Sequence, residues 1–388
     1  MAKGLEKIIF LKAFLSLNKF PQEVKSIEDL REDTVLYETP YPSTSKNKGC
    51  LIIQDVPGYL KLHLDTLTNE QSCRTVPTQK TYVVNLGEYP NGAAYLQKHF
   101  GPKSRSALKR YKNRLETCFT VRNEVYYGPM DRENYDHLFE KLRELMVHRF
   151  EQKNEQNYEL RHLEEIKEDV YPKLLQKQAN LFVIYANERP VSIRINMMKG
   201  TLAFYILSAY DPDYDMFRLG KLDMWQNIDW LIGEGCTKYD LLKGYGYIKE
   251  RWADNIYNNN LVFINSDHSL FGQMKFNMLV WRTKFKIATV KTAKSLKLDS
   301  FIKKWKSKGS SHGMESVETV LVNDAKFTKG VIGKRIGDIS KKELTKPIFQ
   351  LAYKHRYPVD QILIYESEAH RNDYYVQLQD TFYVLKVN

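Results

Sequence analysis

The chain has 388 residues, 43% hydrophobic and 13% aromatic, which is too apolar for disorder and long enough for two or three domains. A formal net charge of +12 points to phosphate-bearing partners: nucleic acid, anionic lipid or a phosphorylated cofactor. Cys50, Cys73, Cys118 and Cys236 are too scattered for a zinc site and read as reduced cytoplasmic thiols, and no run of about 18 apolar residues offers a membrane span.

The first residues, MAKGLEKIIFLKAFLSLNKF, place Lys3 and Lys7 ahead of an apolar run as a signal peptide does. Lys12 interrupts that run and no small-x-small cleavage site follows, so an amphipathic or buried segment is expected. PYPSTSKNKG (40–49) has the composition of a loop, and CLIIQDV (50–56) reads as a strand. TYVVNL (81–86) is a strand by its β-branched content, and a helix over 91–100 follows. Gly101 and Pro102 break it before a basic helix over 104–117. There Leu108, Tyr111 and Leu115 form one packed face, and Arg105, Lys109, Arg110, Lys112 and Arg114 carry charge. FTVRNEVYY (119–127) is the next strand. Tyr135, Leu138, Phe139, Leu142, Leu145, Met146 and Phe150 recur at helical spacing through 131–153. His148 on that helix is expected to be packed or exposed rather than catalytic. A second helix covers about 160–177.

The pattern then changes to period two. NLFVIYA (180–186), a turn at 187–190 and VSIRINMM (191–198) make a β-hairpin; Gly200 leads into TLAFYILSAY (201–210). A helix from about Gly220 to Gly233, a strand over 238–242, another at NLVFIN (260–265) and a helix near His268 complete an α/β unit on a mixed sheet. Residues 282–308 carry ten Lys or Arg from Arg282 to Lys308 against Asp299 alone, either a solvated helix face or a surface for a polyanion or membrane. Ser307 to Ser311 reads as a linker. The tail beyond it offers a strand (317–322), a helix opened by the capping pair Ser340 and Glu343, and two or three strands, a small α+β module.

Two places can carry chemistry. Where strand 201–210 feeds a helix at Gly220, unpaired N–H groups and the positive dipole end make an anion site, and Arg218 and Lys221 flank the glycine. Asp211, in Asp-Pro, reads as a turn former or a base, and Tyr205 as a core residue or an acid. The second place is KYDLLKGYGYIKERWAD (238–254). There a buried strand ends in Gly244, Tyr245, Gly246 and Tyr247, then presents Lys249, with Asp240 as a candidate base and Tyr245 or Tyr247 as a candidate acid.

Residues ~95–255 resemble the GNAT-type acyltransferase domain of the CelD/BcsL-like branch, itself similar to the FemAB peptidyltransferases. The likeness is carried by SRSALKRYKNRLE, LFVIYANERPVSIRINMM, AFYILSAYDPDYDMFRLGKL and YDLLKGYGYIKERW, in that order. The branch's Pro-Gly before the helix is here Leu219-Gly220, and the Tyr of its Tyr-Lys pair is here Ile248, with Tyr247 one place earlier. Only Arg218 and Gly220 stand for the wider superfamily's phosphate loop.

The resemblance implies an α/β fold on a mixed, twisted GNAT-type sheet. It implies two tandem GNAT-like halves, a degenerate one over 1–128 and the acyltransferase domain over 129–310, ahead of the module at 311–388. The implied activity is transfer of an acyl group from acyl-CoA, acetyl-CoA in the simplest case, to an amine or hydroxyl of a sugar, glycan precursor or small metabolite. Strands 201–210 and 238–242 splay apart in that fold, and the thioester lies in the gap. Tyr205, Ile206, Leu207, Ser208, Arg218, Gly220 and Lys221 would bind the donor. Lys249, Tyr247, Asp240 and Asp211 would serve catalysis, without a metal. An anionic or lipid-linked acceptor, and a cytoplasmic site with peripheral attachment to the inner face of a membrane, fit the charge. Two alternatives stand beside this: a FemAB-like enzyme using aminoacyl-tRNA on a cell-wall precursor, and a non-catalytic polyanion binder on the same fold.

Overall fold

The structure is a computed structural model that describes residues 5–15, 20–21, 23–39, 49–64, 73–153, 158–244, 247–267, 269–295, 317–321, 332–336, 342–368 and 372–387. The chain opens with β1 (Leu5–Ile9), α1 (Phe10–Leu15), β2 (Val24–Asp29), β3 (Thr34–Glu38), β4 (Cys50–Pro57), β5 (Leu60–Leu64) and β6 (Cys73–Val84). Then come α2 (Gly92–His99), α3 (Pro102–Cys118), β7 (Val121–Tyr126), α4 (Arg132–Lys153), α5 (Tyr158–Arg161) and α6 (Leu163–Leu175). The centre holds β8 (Ala179–Ala186), β9 (Arg189–Lys199), β10 (Leu202–Tyr210), α7 (Leu219–Gly233), β11 (Lys238–Asp240), α8 (Tyr247–Trp252), β12 (Asn255–Asn265) and α9 (Leu270–Ser295). Last are β13 (Val317–Leu321), β14 (Ile332–Ile336), α10 (Lys342–His355), β15 (Leu363–Ser367), β16 (Asp373–Leu378) and β17 (Thr381–Val387).

These elements fall into two compact units, each built from three stretches of chain. The first comprises Met1–Glu88, Met198–Tyr205 and Cys236–Ser311; the second comprises Tyr89–Met197, Ile206–Gly235 and His312–Asn388. This division does not follow the borders expected at 128 and 310.

The first unit contains a mixed run of strands in the order β1-β4-β12-β6-β11-β10. β1 and β4 pair in parallel, β12 pairs antiparallel with β4 and with β6, and β11 pairs antiparallel with β6 and parallel with β10. β2, β3 and β5 form a separate three-stranded sheet. The N-terminal apolar run is a short strand and a helix, and Phe10 and Phe14 are buried. Among the described residues no helix is long and apolar enough to cross a membrane. β11 is shorter than the strand expected over 238–242, because Leu242 turns left-handed (φ 60°) and ends the pairing.

In the second unit β7, β8 and β9 pair antiparallel side by side, with α4, α5 and α6 between β7 and β8 in sequence. The β8–β9 turn puts Asn187 and Glu188 at φ 47° and 61°, the left-handed pair that a two-residue hairpin requires. β9 alternates as strands do, but Ser192, Arg194 and Asn196 on one face are buried like their apolar neighbours. Asp223 and Asn227, one turn apart on α7, meet them. Arg194 Nε donates to Asp223 Oδ2 at 2.9 Å, and Asn196 Nδ2 donates to Asn227 Oδ1 at 2.8 Å and to Asn180 Oδ1 at 2.9 Å.

The C-terminal strands form a five-stranded sheet, β13-β17-β16-β15-β14. The tail is less separate than its composition suggests. Leu344, Ile348 and Phe349 of α10 share one apolar core with Leu115, Phe119, Phe182, Tyr214 and Phe217.

Candidate functional site

β10 changes character halfway along. Leu202, Ala203 and Phe204 are buried and pair with Lys238, Tyr239 and Asp240 of β11. β11 then ends, while β10 runs on to Tyr210 with alternate burial: Leu207 and Ala209 are covered, and Ile206, Ser208 and Tyr210 are half-exposed. A parallel pair that stops after three residues leaves the rest of that edge without its β11 partner.

The end of β11 is built tightly. Asp240 is buried, and its carboxylate accepts from Tyr59 Oη at 2.9 Å, Thr81 Oγ1 at 2.6 Å and the Leu242 N–H at 2.8 Å. Burial pushes its carboxyl above the ordinary aspartate range, while those three bonds and the Lys249 charge act in the opposite direction. Burial, then the neighbouring Asp240, pushes the Tyr59 hydroxyl well above its usual value. Gly244 follows at φ 140°, and α8 then swings Lys249 back. Lys249 Nζ lies 5.0 Å from the centre of the Tyr205 ring and donates to the Lys243 carbonyl at 3.2 Å. A Cβ on residue 244 would stand 3.4 Å from that ammonium, an ordinary contact, so it is the backbone angle that calls for glycine. Tyr247, the first residue of α8, is 75% exposed, and Trp252 at the helix end is a buried anchor. Tyr245 and Gly246 lie outside the described residues.

The second predicted cluster lies after β10. Asp211 Oδ1 accepts from the Asp213 N–H at 2.9 Å and caps a 3-10 turn over Pro212–Phe217. Arg218 is exposed in the left-handed conformation (φ 56°), and its carbonyl takes the Lys221 N–H at 2.8 Å to start α7. Gly220 and Lys221 are half-buried. A Cβ on Gly220 would lie 2.9 Å from Cε1 of Tyr210, so this glycine makes room for the Tyr210 ring. The Arg149 guanidinium covers the same ring at 4.9 Å and donates to the Ser208 carbonyl at 3.5 Å.

Sequence reasoning missed several of these residues. His148, expected to be packed or exposed rather than catalytic, has its Nδ1 3.5 Å from Asp211 and its Nε2 4.0 Å from Asp213. Only its helical neighbour Arg149, reaching the same strand end, could have drawn attention to it. Tyr59 and Thr81 come from β-strands distant in sequence, and no spacing rule connects them to Asp240.

Residues 102–252 match the family model described as the acetyltransferase (GNAT) domain. None of the curated protein sequences matches the chain. Among solved structures the chain is similar to FemX, with 11% identity and a TM-score of 0.40 over 57% of this chain and 73% of that one. It is similar to L-PGS from Bacillus licheniformis, with 14% identity and a TM-score of 0.34 over 59% and 71% of the two chains. It is also similar to a GCN5-related N-acetyltransferase from Sphaerobacter thermophilus, with 10% identity and a TM-score of 0.26 over 56% and 60%.

Proposed function

We propose that the protein, whose residues 102–252 match the acetyltransferase (GNAT) domain model, transfers an acyl group from a coenzyme A thioester to an amine or hydroxyl of a sugar, glycan precursor or small metabolite. The observation that carries this reading is the early end of the β10–β11 pairing, with Lys249 held over Tyr205 at the step where it stops. The donor would lie along Tyr205, Ile206, Leu207 and Ser208, with its phosphates toward Arg218, Gly220 and Lys221. Attack by the acceptor forms the new C–N or C–O bond and breaks the C–S bond through a tetrahedral oxyanion. A backbone N–H of β10 and the Lys249 ammonium stabilise that charge. Tyr247, at the exposed start of α8, is suited to protonate the departing thiolate. Asp240 is sealed and fully bonded, and Asp211 caps a turn. We therefore assign both to positioning, and the acceptor proton to an ordered water.

One observation favours a second reading, a FemAB-like transferase that takes its acyl group from aminoacyl-tRNA. The turn before α7 carries Asp213 and Asp215 as well as Asp211, and Tyr210 occupies the space beside Gly220. A pyrophosphate would meet negative charge there, whereas a tRNA donor does not require that grip.

Thermal-shift titration with acetyl-CoA, free CoA and total aminoacyl-tRNA separates the two, because a ligand of the native state raises its midpoint. Stabilisation by CoA supports the first reading, stabilisation by tRNA alone the second. Binding of any polyanion with neither donor preferred would make the protein a non-catalytic binder. With the donor identified, Lys249→Ala is expected to lower kcat/KM ~100-fold or more at an unchanged melting temperature. Unchanged turnover removes Lys249 from the site.

A further inference from the structure

α9 is apolar on two opposite faces. Its start is fixed by Ser269, whose Oγ accepts from the Gly272 N–H at 3.0 Å. Inward, Phe276 and Val280 are buried against Ile52, Val76 and Phe263. Outward, Leu270, Phe271, Met274, Met278, Trp281 and Phe285 remain 55% to 89% exposed. At ~100° per residue these six fall within one sector ~100° wide, roughly opposite the buried stripe, and they run ~22 Å along the axis. A contiguous exposed apolar strip of this kind marks an interaction surface. The Trp281 and Phe285 rings stack at 5.8 Å, and Lys275 lies 4.1 Å over Phe271.

The surrounding charge decides what covers the strip. α9 contains no Asp or Glu, and Lys275, Arg282 and Lys286 flank the strip on one side with Lys284 on the other, all four exposed. We propose that this face of α9 lies on an anionic membrane surface, with the six apolar side chains in the acyl boundary and the cations at the lipid phosphates. Aromatic and aliphatic side chains bordered by Lys and Arg on both sides are what a helix in the interface plane presents. A second copy would bring two acid-free cationic helices together, which like charge opposes. A nucleic acid would use the cations but leave Leu270, Met274 and Met278 without a partner. The inference does not depend on the donor.

The test is co-sedimentation of the full chain with vesicles of phosphatidylcholine alone and with vesicles containing phosphatidylglycerol, at low and high salt. Binding is expected only to the anionic vesicles, weakening with salt, and with a blue shift of tryptophan emission that Trp281→Phe removes. Each of Arg282→Gln and Lys284→Gln should weaken binding ~fivefold. Trp281→Ser with Phe285→Ser should weaken it ~100-fold at an unchanged melting temperature, because both side chains are exposed. Equal binding to neutral and anionic vesicles, full binding by the double Ser variant, or a concentration-dependent dimer that this variant abolishes would overturn the proposal.

Discussion

A side chain at position 244 would have to adopt φ 140° and meet the Lys249 ammonium at 3.4 Å. Two residues earlier in the turn, the Leu242 N–H is fastened to Asp240. The buried carboxylate thus holds the bend from which Lys249 is aimed, the positioning role proposed for it above. Its titration gives a test. The folded state holds the Asp240 proton to a higher pH than the unfolded chain does. In the window just above the ordinary aspartate value (about 3.9) the native state therefore binds more protons, and stability falls as pH rises through it, by at most ~1.4 kcal/mol per pH unit. Asp240→Asn cannot titrate. Urea unfolding followed from pH 4 to 7 should show a downward slope in the wild type that the variant lacks. Parallel curves would mean that Asp240 is ionised in the fold throughout.

Between β9 and α7 lies a polar layer that is shielded from solvent, and its energetics are unlike those of an ordinary strand–helix contact. Arg194 and Asp223 are 2% and 1% exposed. Removing one partner strands a buried charge, so Asp223→Ala should cost ~3–5 kcal/mol. Arg194→Met with Asp223→Leu should recover most of that loss, because a buried ion pair is seldom better than an apolar pair of the same size. Urea midpoints of the two variants check this, and equal losses in both would sink it. The hairpin and both of its strands were legible in NLFVIYANERPVSIRINMM, as were the strand and the helix that follow, because turn chemistry and period are local. The polar layer was not. Ser192, Arg194 and Asn196 show the alternation of a solvent-facing edge, and only α7, some 30 residues later, covers them. α9 failed for a related reason: apolar residues on both faces cancel the helical period, so the segment after 282 announced its charge and concealed its strip. At the candidate site, Lys249 was singled out through the family likeness, but its place over Tyr205 was not legible, since no local rule joins β10 to α8. The contact of His148 with Asp211 was hidden too, since its helix displays the spacing of packing and nothing more.

On the scale of the chain, each compact unit is left and re-entered, and the last stretch brings a sheet of its own into the second unit. Its helix α10 packs on the turn over Pro212–Phe217, which is proposed above to lead into the donor's phosphate site. Phe349 lies 4.7 Å from the Tyr214 ring and 5.0 Å from Phe119, and Tyr353 lies 5.2 Å from Phe217. Tyr214 and Phe217 belong to the 3-10 turn that ends at Arg218 and opens α7. The tail therefore fixes the turn through apolar contact, and Lys346 adds an ion pair to Asp215 at 3.4 Å. Phe349 is 6% exposed, and Phe349→Ala should cost ~3–5 kcal/mol in transfer and cavity energy. The cavity opens beneath that turn, so if the proposed donor site is right this loss is accompanied by a rise in the donor's KM that leaves the acceptor's KM unchanged. Phe349→Leu, which fills most of the space, should restore the donor's KM before it restores full stability. If stability falls while both KM values hold, the tail supports the core alone and the turn keeps its shape without it. If both KM values rise together, the loosening reaches beyond the turn, and the tail acts on the domain as a whole.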